Sequence, residues 1–142
     1  MIGKALTKAL VKLGHHVIIL SRKKKDSSER NISYAQWNVD TQTIDADAVQ
    51  QADYIVHLAG AGVADSRWTE ARKKEIVESR TKSGALLANT LQNTSHKVKA
   101  VVSASAIGWY GADPTIPNPK PFTEDAQSDR SFLGQTCKQW EA

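Results

Sequence analysis

The chain has 142 residues and a formal net charge of +4, enough length for one core and one domain. With 40% hydrophobic and 24% charged residues it has an ordinary globular composition, and much of its positive excess is the local run Arg22-Lys23-Lys24-Lys25 rather than a basic face, which argues against a nucleic-acid partner. The one cysteine, Cys137, excludes an internal disulfide and points to a reducing, cytoplasmic setting, and no apolar run nears the roughly 20 residues that would cross a membrane.

Residues 3–13 place Leu6, Ala9, Leu10 and Leu13 on one face at helical spacing, and Gly14 follows as the stop. The segment reads as amphipathic, with lysines spread through it, rather than as a signal peptide. Val17-Ile18-Ile19-Leu20 is wholly apolar and mostly β-branched, the pattern of a strand buried on both faces. A weaker strand is predicted within 32–39 and a short helix over 44–51. Tyr54-Ile55-Val56-His57-Leu58 is another apolar strand, and it runs into Ala59-Gly60-Ala61-Gly62. A long helical stretch covers 69–91, as one helix or as two divided at Gly84.

The stretch from Val98 to Gly111 carries the most chemical interest. Val98, Ala100, Val101 and Val102 predict a buried strand. The strand then breaks into Ser103 and Ser105 and ends at Trp109-Tyr110-Gly111. In open parallel α/β sheets, the loops at the carboxyl ends of strands form the ligand crevice. The same residues also suit a plain buried strand and glycine turn. Four prolines between 114 and 121 mark a loop, and a last helix is predicted within 129–142. Alternating strands and helices predict an α/β fold, a doubly wound parallel sheet with helices on both faces.

Such a fold normally opens with a strand, then a glycine-rich turn, then a helix. Here the sequence opens at the helix, with Gly3 where the last glycine of a phosphate-binding turn would stand. The first strand belongs at the sheet centre, between the strands starting at Val17 and Tyr54. The expectation is therefore a partial NAD(P)-binding Rossmann domain over residues 1–142, from a fragment or truncated gene product. Two unpaired strand edges would result, open to homo-oligomer formation.

Four stretches together carry a resemblance. They are I-G-K-A-L-T-K-A-L-V-K-L-G-H-H-V, H-L-A-G-A-G-V-A-D-S-R-W-T-E-A-R-K-K-E-I-V-E-S-R, S-A-S-A-I-G-W-Y-G, and F-T-E-D followed by F-L-G-Q-T-C-K-Q-W-E-A. The chain resembles the extended short-chain dehydrogenase/reductase superfamily, and within it the nucleoside-diphosphate-sugar epimerase-like subfamily. Members run to roughly twice this length, and their C-terminal half supplies most of the substrate pocket.

The resemblance implies a nicotinamide cofactor, and the residues bear on which one. Ser21-Arg22-Lys23-Lys24 follows the strand at which an acid would bind the ribose of NAD and a basic residue the 2′-phosphate of NADP. No acid appears before Asp26, so NADP is the expected cofactor, the alternative being a solvated basic loop. Gly3, Ser21, Arg22, Asp40 (near the adenine), Leu58, Ala59 and Gly60 form the expected cofactor-binding set. His57 reads as a packed strand-end histidine rather than a catalytic one. Arg72 reads as part of a solvated helix face; Arg80 is open.

The superfamily's catalytic serine matches Ser105, or Ser103. Its tyrosine and lysine positions, aligned on Glu141, fall on Leu133 and Cys137, and neither can serve as that acid/base pair. Lys138 is one residue, about 100°, off register. Tyr110 is the alternative acid, making Ser105 and Tyr110 the expected catalytic residues. The expected function is an NADP-binding epimerase or oxidoreductase acting on an unknown small molecule, of which a nucleotide sugar is one candidate. The alternative is a non-catalytic dinucleotide-binding or interaction module.

Overall fold

A computed structural model describes residues 2–142. The chain divides into two compact units. One holds residues 1–59 and 82–103; the other holds 60–81 and 104–142.

The first unit opens with helix α1, Ile2–Lys12. Gly14 ends it at φ +88°, a left-handed conformation that suits glycine. The His15 N–H then donates to Leu10 O at 3.0 Å and the Gly14 N–H to Val11 O at 3.0 Å, closing the last carbonyls. No residue of α1 is fully buried, so its apolar stripe is only partly covered.

Five strands follow in two separate sheets. Strands β1, Val17–Ser21, and β2, Ile32–Asn38, pair in parallel from Val17 opposite Ile32 to Ser21 opposite Gln36. The two-residue β3, Thr43–Ile44, turns back antiparallel on β2. Strands β4, Tyr54–His57, and β5, Ala100–Ser103, form a second parallel pair, His57 opposite Ser103. Among the described residues no strand joins β1 to β4, so an edge of each sheet is unpaired. The parallel pairs and connecting helices give an α/β, Rossmann-like architecture whose sheet is in two pieces.

Burial departs from the sequence expectation at two strands. β1 is half-buried along its whole length rather than buried on both faces. β5 is exposed throughout, with Val102 61% accessible. A two-stranded sheet leaves the apolar side chains of β5 without covering layers, although their composition is that of a core strand.

Helix α2, Ala46–Gln51, is capped by Asp45, whose carboxylate accepts the Asp47 N–H at 3.1 Å. It buries Ala48 and Val49. Helix α3, Glu70–Asn93, is continuous through Gly84; its residues up to 81 belong to the second unit and those from 82 to the first. Ser83, Leu86 and Leu87 are buried in the first unit, at the i, i+3, i+4 spacing of one helix face.

In the second unit Ile76 of α3 is fully buried. A single 3-10 turn, Ile107–Trp109, leads to the proline loop, and α4 follows at Phe132–Glu141. Ser131 caps α4, its hydroxyl accepting the Gly134 N–H at 3.4 Å. The Asp129 carboxylate in turn accepts the Ser131 N–H at 2.7 Å, and hydrogen bonding by the Ser131 side chain and then by its backbone holds that carboxyl below the usual carboxylate range.

Candidate functional site

Of the expected cofactor set, Gly3, Ser21, Arg22, Asp40, Leu58 and Ala59 fall in the first unit and Gly60 in the second. Ser21 and Arg22 leave the carboxyl end of β1. The Gln36 amide of β2 donates to Arg22 O at 3.3 Å, which pins the backbone there. Arg22 is exposed, and among the described residues no carboxylate pairs with its guanidinium. That group is free to take a phosphate in its planar fork. The neighbouring Lys25 behaves differently, its ammonium lying over the Tyr34 ring at 5.7 Å.

Asp40 lies in the turn after β2. Its N–H donates to Asn38 Oδ1 at 2.9 Å, leaving its carboxylate outward. Leu58 and Ala59 leave the end of β4. A methyl on Gly3 would stand 3.9 Å from Leu58 Cδ1, ordinary packing distance. A side chain at Gly3 would thus meet Leu58 only at ordinary contact distance.

His57 ends β4 and is 5% accessible. One ring nitrogen lies 2.8 Å from Ser83 Oγ and the other 3.2 Å from Ser103 Oγ. Serine hydroxyls can donate or accept, so the hydrogen bonds tolerate either protonation state. Burial decides, and it lowers the His57 pKa. A histidine whose folded pKa lies below its unfolded value keeps its full stabilising effect above about pH 6.5 and loses it as pH falls toward the folded value. Urea midpoints should therefore drop between pH 7 and pH 5, and His57→Gln should flatten that drop. An unchanged slope in the variant would remove His57 as its cause.

The second unit carries the serine and the last helix. Three residues of α4, Leu133, Cys137 and Glu141, recur every fourth position and so share one face. All three meet the segment after β5. Leu133 packs so closely on Gly108 that a methyl there would stand 2.9 Å from Leu133 Cβ. Cys137 Sγ donates to Ala106 O at 3.6 Å and is buried, which pushes its thiol pKa up. Ser105 Oγ donates to Glu141 Oε1. Leu133 and Cys137 are thus packing residues.

Tyr110, the expected acid, stacks on Phe122 with ring centroids 5.0 Å apart, and among the described residues no hydrogen bond joins it to Ser105. Phe122 also lines a cavity of about 340 Å³ in the proline loop, together with Pro114, Asn118 and Lys120.

The two arginines of α3 both point inward. The Arg72 side chain is 15% exposed, donating to Gly62 O at 2.6 Å and pairing with Glu75 at 2.6 Å. This corrects the expectation of a solvated face: the open carbonyls of the glycine-rich loop draw the guanidinium in. Arg80 donates to Ala61 O at 3.1 Å and lies 5.0 Å from the Trp140 ring. A methyl on Gly60 would stand 3.0 Å from Arg80 Cζ, so that glycine makes room for the guanidinium. The Ala61 N–H donates to Ser79 Oγ at 2.9 Å. The loop after β4 is clamped to α3 by both of its polar faces, a role that the chain positions of Arg72 and Arg80 alone did not reveal.

No helix among the described residues is long and apolar enough to cross a membrane, and no cluster of metal-ligating residues occurs among them. The sequence profile of the NAD dependent epimerase/dehydratase family matches residues 1–132. Epimerase family protein YfhF of Bacillus subtilis is 36% identical over 141 residues, covering 99% of this chain and 45% of its own. A Staphylococcus saprophyticus epimerase family protein is 33% identical, again with 99% and 45% covered. The crystal structure of human epimerase family protein SDR39U1 (isoform 2) with NADPH superimposes with a TM-score of 0.75 at 28% identity, over 99% of this chain and 44% of that one. A mutated uronate dehydrogenase shares the fold, with a TM-score of 0.72 at 22% identity. The chain thus spans a little under half the length of these relatives. The β-strand ends, the clamped glycine loop and the family match agree: the chain belongs to the NAD-dependent epimerase/dehydratase family.

Proposed function

We propose that the chain is the NADP-binding part of an epimerase-like oxidoreductase acting on a small hydroxylated molecule. The observation that carries the cofactor preference is the unpaired, exposed Arg22 at the carboxyl end of β1, with no acid before Asp26. The NADPH in the human relative's structure supports the same reading. Arg22 and Ser21 would hold the 2′-phosphate, the start of α1 at Gly3 the pyrophosphate, and Asp40 the adenine side. Leu58, Ala59 and Gly60 would lie along the ligand backbone, where small residues permit close approach. The nicotinamide, when bound, supplies a hydride acceptor or donor. Ser105 would orient a substrate oxygen, with Tyr110 as the acid.

A second reading is favoured by α4. Leu133 and Cys137 fill the face where the superfamily's tyrosine and lysine would stand, so a non-catalytic dinucleotide-binding module also fits. The unpaired edges of β1 and β4 are the surfaces through which such a module would pair with a second copy. Turnover separates the readings. Incubation with NADP⁺ and a panel of sugar nucleotides and free sugars should produce NADPH absorbance for the enzyme. NADPH binding without turnover of any panel member would favour the module.

A further inference from the structure

We propose that the proline loop of the second unit is a binding site for a small aromatic anion, a planar ring that carries one carboxylate. The site shares no residue with the dinucleotide set or with Ser105.

The loop surrounds a cavity of about 340 Å³ whose lining includes Phe122, Lys120, Asn118 and the prolines Pro114, Pro119 and Pro121. That volume is at the lower end of the range for small-molecule sites, and an apolar lining with a few polar groups is their usual make-up. The walls are held in place. The Trp109 indole donates to Ala126 O at 2.8 Å, and the Asp129 N–H donates to Trp109 O at 2.7 Å. The Asn118 amide donates to Asp113 Oδ1 at 3.1 Å and accepts the Lys120 N–H at 3.1 Å. The prolines fix their own φ angles. A preformed cavity of this kind costs its ligand little ordering.

Two residues choose the ligand. Phe122 is stacked on Tyr110, with centroids 5.0 Å apart and planes 15° apart, yet it stays 40% exposed while lining the cavity. A ligand ring laid on it extends the stack, and aromatic pairs gain affinity beyond the area they bury. Lys120 is the one charged residue of the lining. It is exposed, and among the described residues no carboxylate pairs with its ammonium. The nearby acids do not cancel that charge inside the cavity: Asp113 is turned to the Asn118 amide, and Glu124 and Asp125 are not part of the lining. One unpaired ammonium matches one carboxylate, whereas a phosphate dianion would leave a charge uncovered.

The test applies three probes to the intact chain by ligand-observed NMR. They are phenylacetate, its neutral counterpart phenylacetamide, and acetate, the anion without the ring. Phenylacetate should bind saturably and about fivefold tighter than phenylacetamide. That factor corresponds to about 1 kcal/mol, the attraction of unit charges 4 Å apart in water. Acetate should not saturate at the same concentrations. Lys120→Gln should bring the two ring probes to equal affinity, and Lys120→Arg should keep the preference. Phe122→Leu should weaken both ring probes alike. Saturating NADPH should leave phenylacetate bound. No binding of phenylacetate, equal binding of the two ring probes by wild type, acetate binding as tightly as phenylacetate, an unchanged preference in Lys120→Gln, or displacement by NADPH would each overturn the proposal. Should Phe122→Leu fail to fold, the Lys120 variants still decide, because among the described residues no hydrogen bond or ion pair uses the Lys120 ammonium.

Discussion

Arg22→Glu should lower NADPH affinity by about ten- to a hundredfold and leave NADH affinity within a few fold of wild type. The size follows from the hydrogen bonds at stake. A bond to a charged group contributes about 1.5–3 kcal/mol, and every 1.4 kcal/mol is tenfold in affinity. The guanidinium offers two parallel N–H donors to one phosphate, a geometry that lysine cannot copy. The substitution also places a negative charge where a dianionic phosphate would sit. NADH lacks that phosphate, so its binding should be indifferent to the change. Lys25→Glu, which makes the same change of charge, is the internal control. Its ammonium is held over Tyr34 at 5.7 Å, so its loss should weaken both dinucleotides slightly and equally. A basic loop that attracts anions only by net charge would respond alike to both substitutions. Isothermal titration of the three proteins with each dinucleotide separates the possibilities.

Gly134→Ala should destabilise the chain by about 1–3 kcal/mol, while Gly84→Ala should stabilise it by about 0.4–1 kcal/mol. Both glycines lie inside helices, and neither has the positive φ that would itself demand glycine. Helix propensity alone would therefore favour alanine at both, by up to about 1 kcal/mol. Space decides the difference. A methyl on Gly84 meets nothing within 4 Å. A methyl on Gly134 would stand 2.7 Å from the carbonyl carbon of Asp129 and 2.9 Å from its Cα. These are backbone atoms and cannot swing aside like a side-chain tip. The Asp129 segment is also pinned: its N–H donates to Trp109 O at 2.7 Å, and its carbonyl accepts the Gln135 amide at 3.0 Å. Relief of the clash would break one of these bonds or the Ser131 cap, and either cost exceeds the propensity gain. Urea midpoints with unchanged slopes would measure both effects. Equal shifts of the same sign would contradict the steric account.

Elements with strong periodicity were legible from the residues alone. The leucines before Gly14 form their helix and the run from Val17 its strand, although that strand is half-buried rather than covered on both faces, and the long stretch left open as one helix or two is one helix through Gly84. The positive φ of Gly14 is what a helix stop of that kind requires. β3 was not legible, because two residues, Thr43 and Ile44, carry no period. The exposure of β5 was hidden for a different reason: its composition suits a covered strand, and coverage depends on neighbouring layers. Arg72 looked like a surface charge, and Arg80 stayed open, because their partners are backbone carbonyls of a loop ten to nineteen residues earlier, and carbonyls leave no trace in a sequence pattern. Cys137 and Leu133 could be identified as unfit for acid/base chemistry from residue type alone. That Glu141 of the same helix face would hold the Ser105 proton needed the helix to be placed.

The proposed selection of NADP rests on the residues at the end of β1. The most direct measurement is a calorimetric titration of the chain with NADPH and, separately, with NADH. Saturable NADPH binding, at least tenfold tighter than NADH binding, is expected. Equal affinities, or a preference for NADH, would contradict it, because Arg22 would then not be reading the 2′-phosphate.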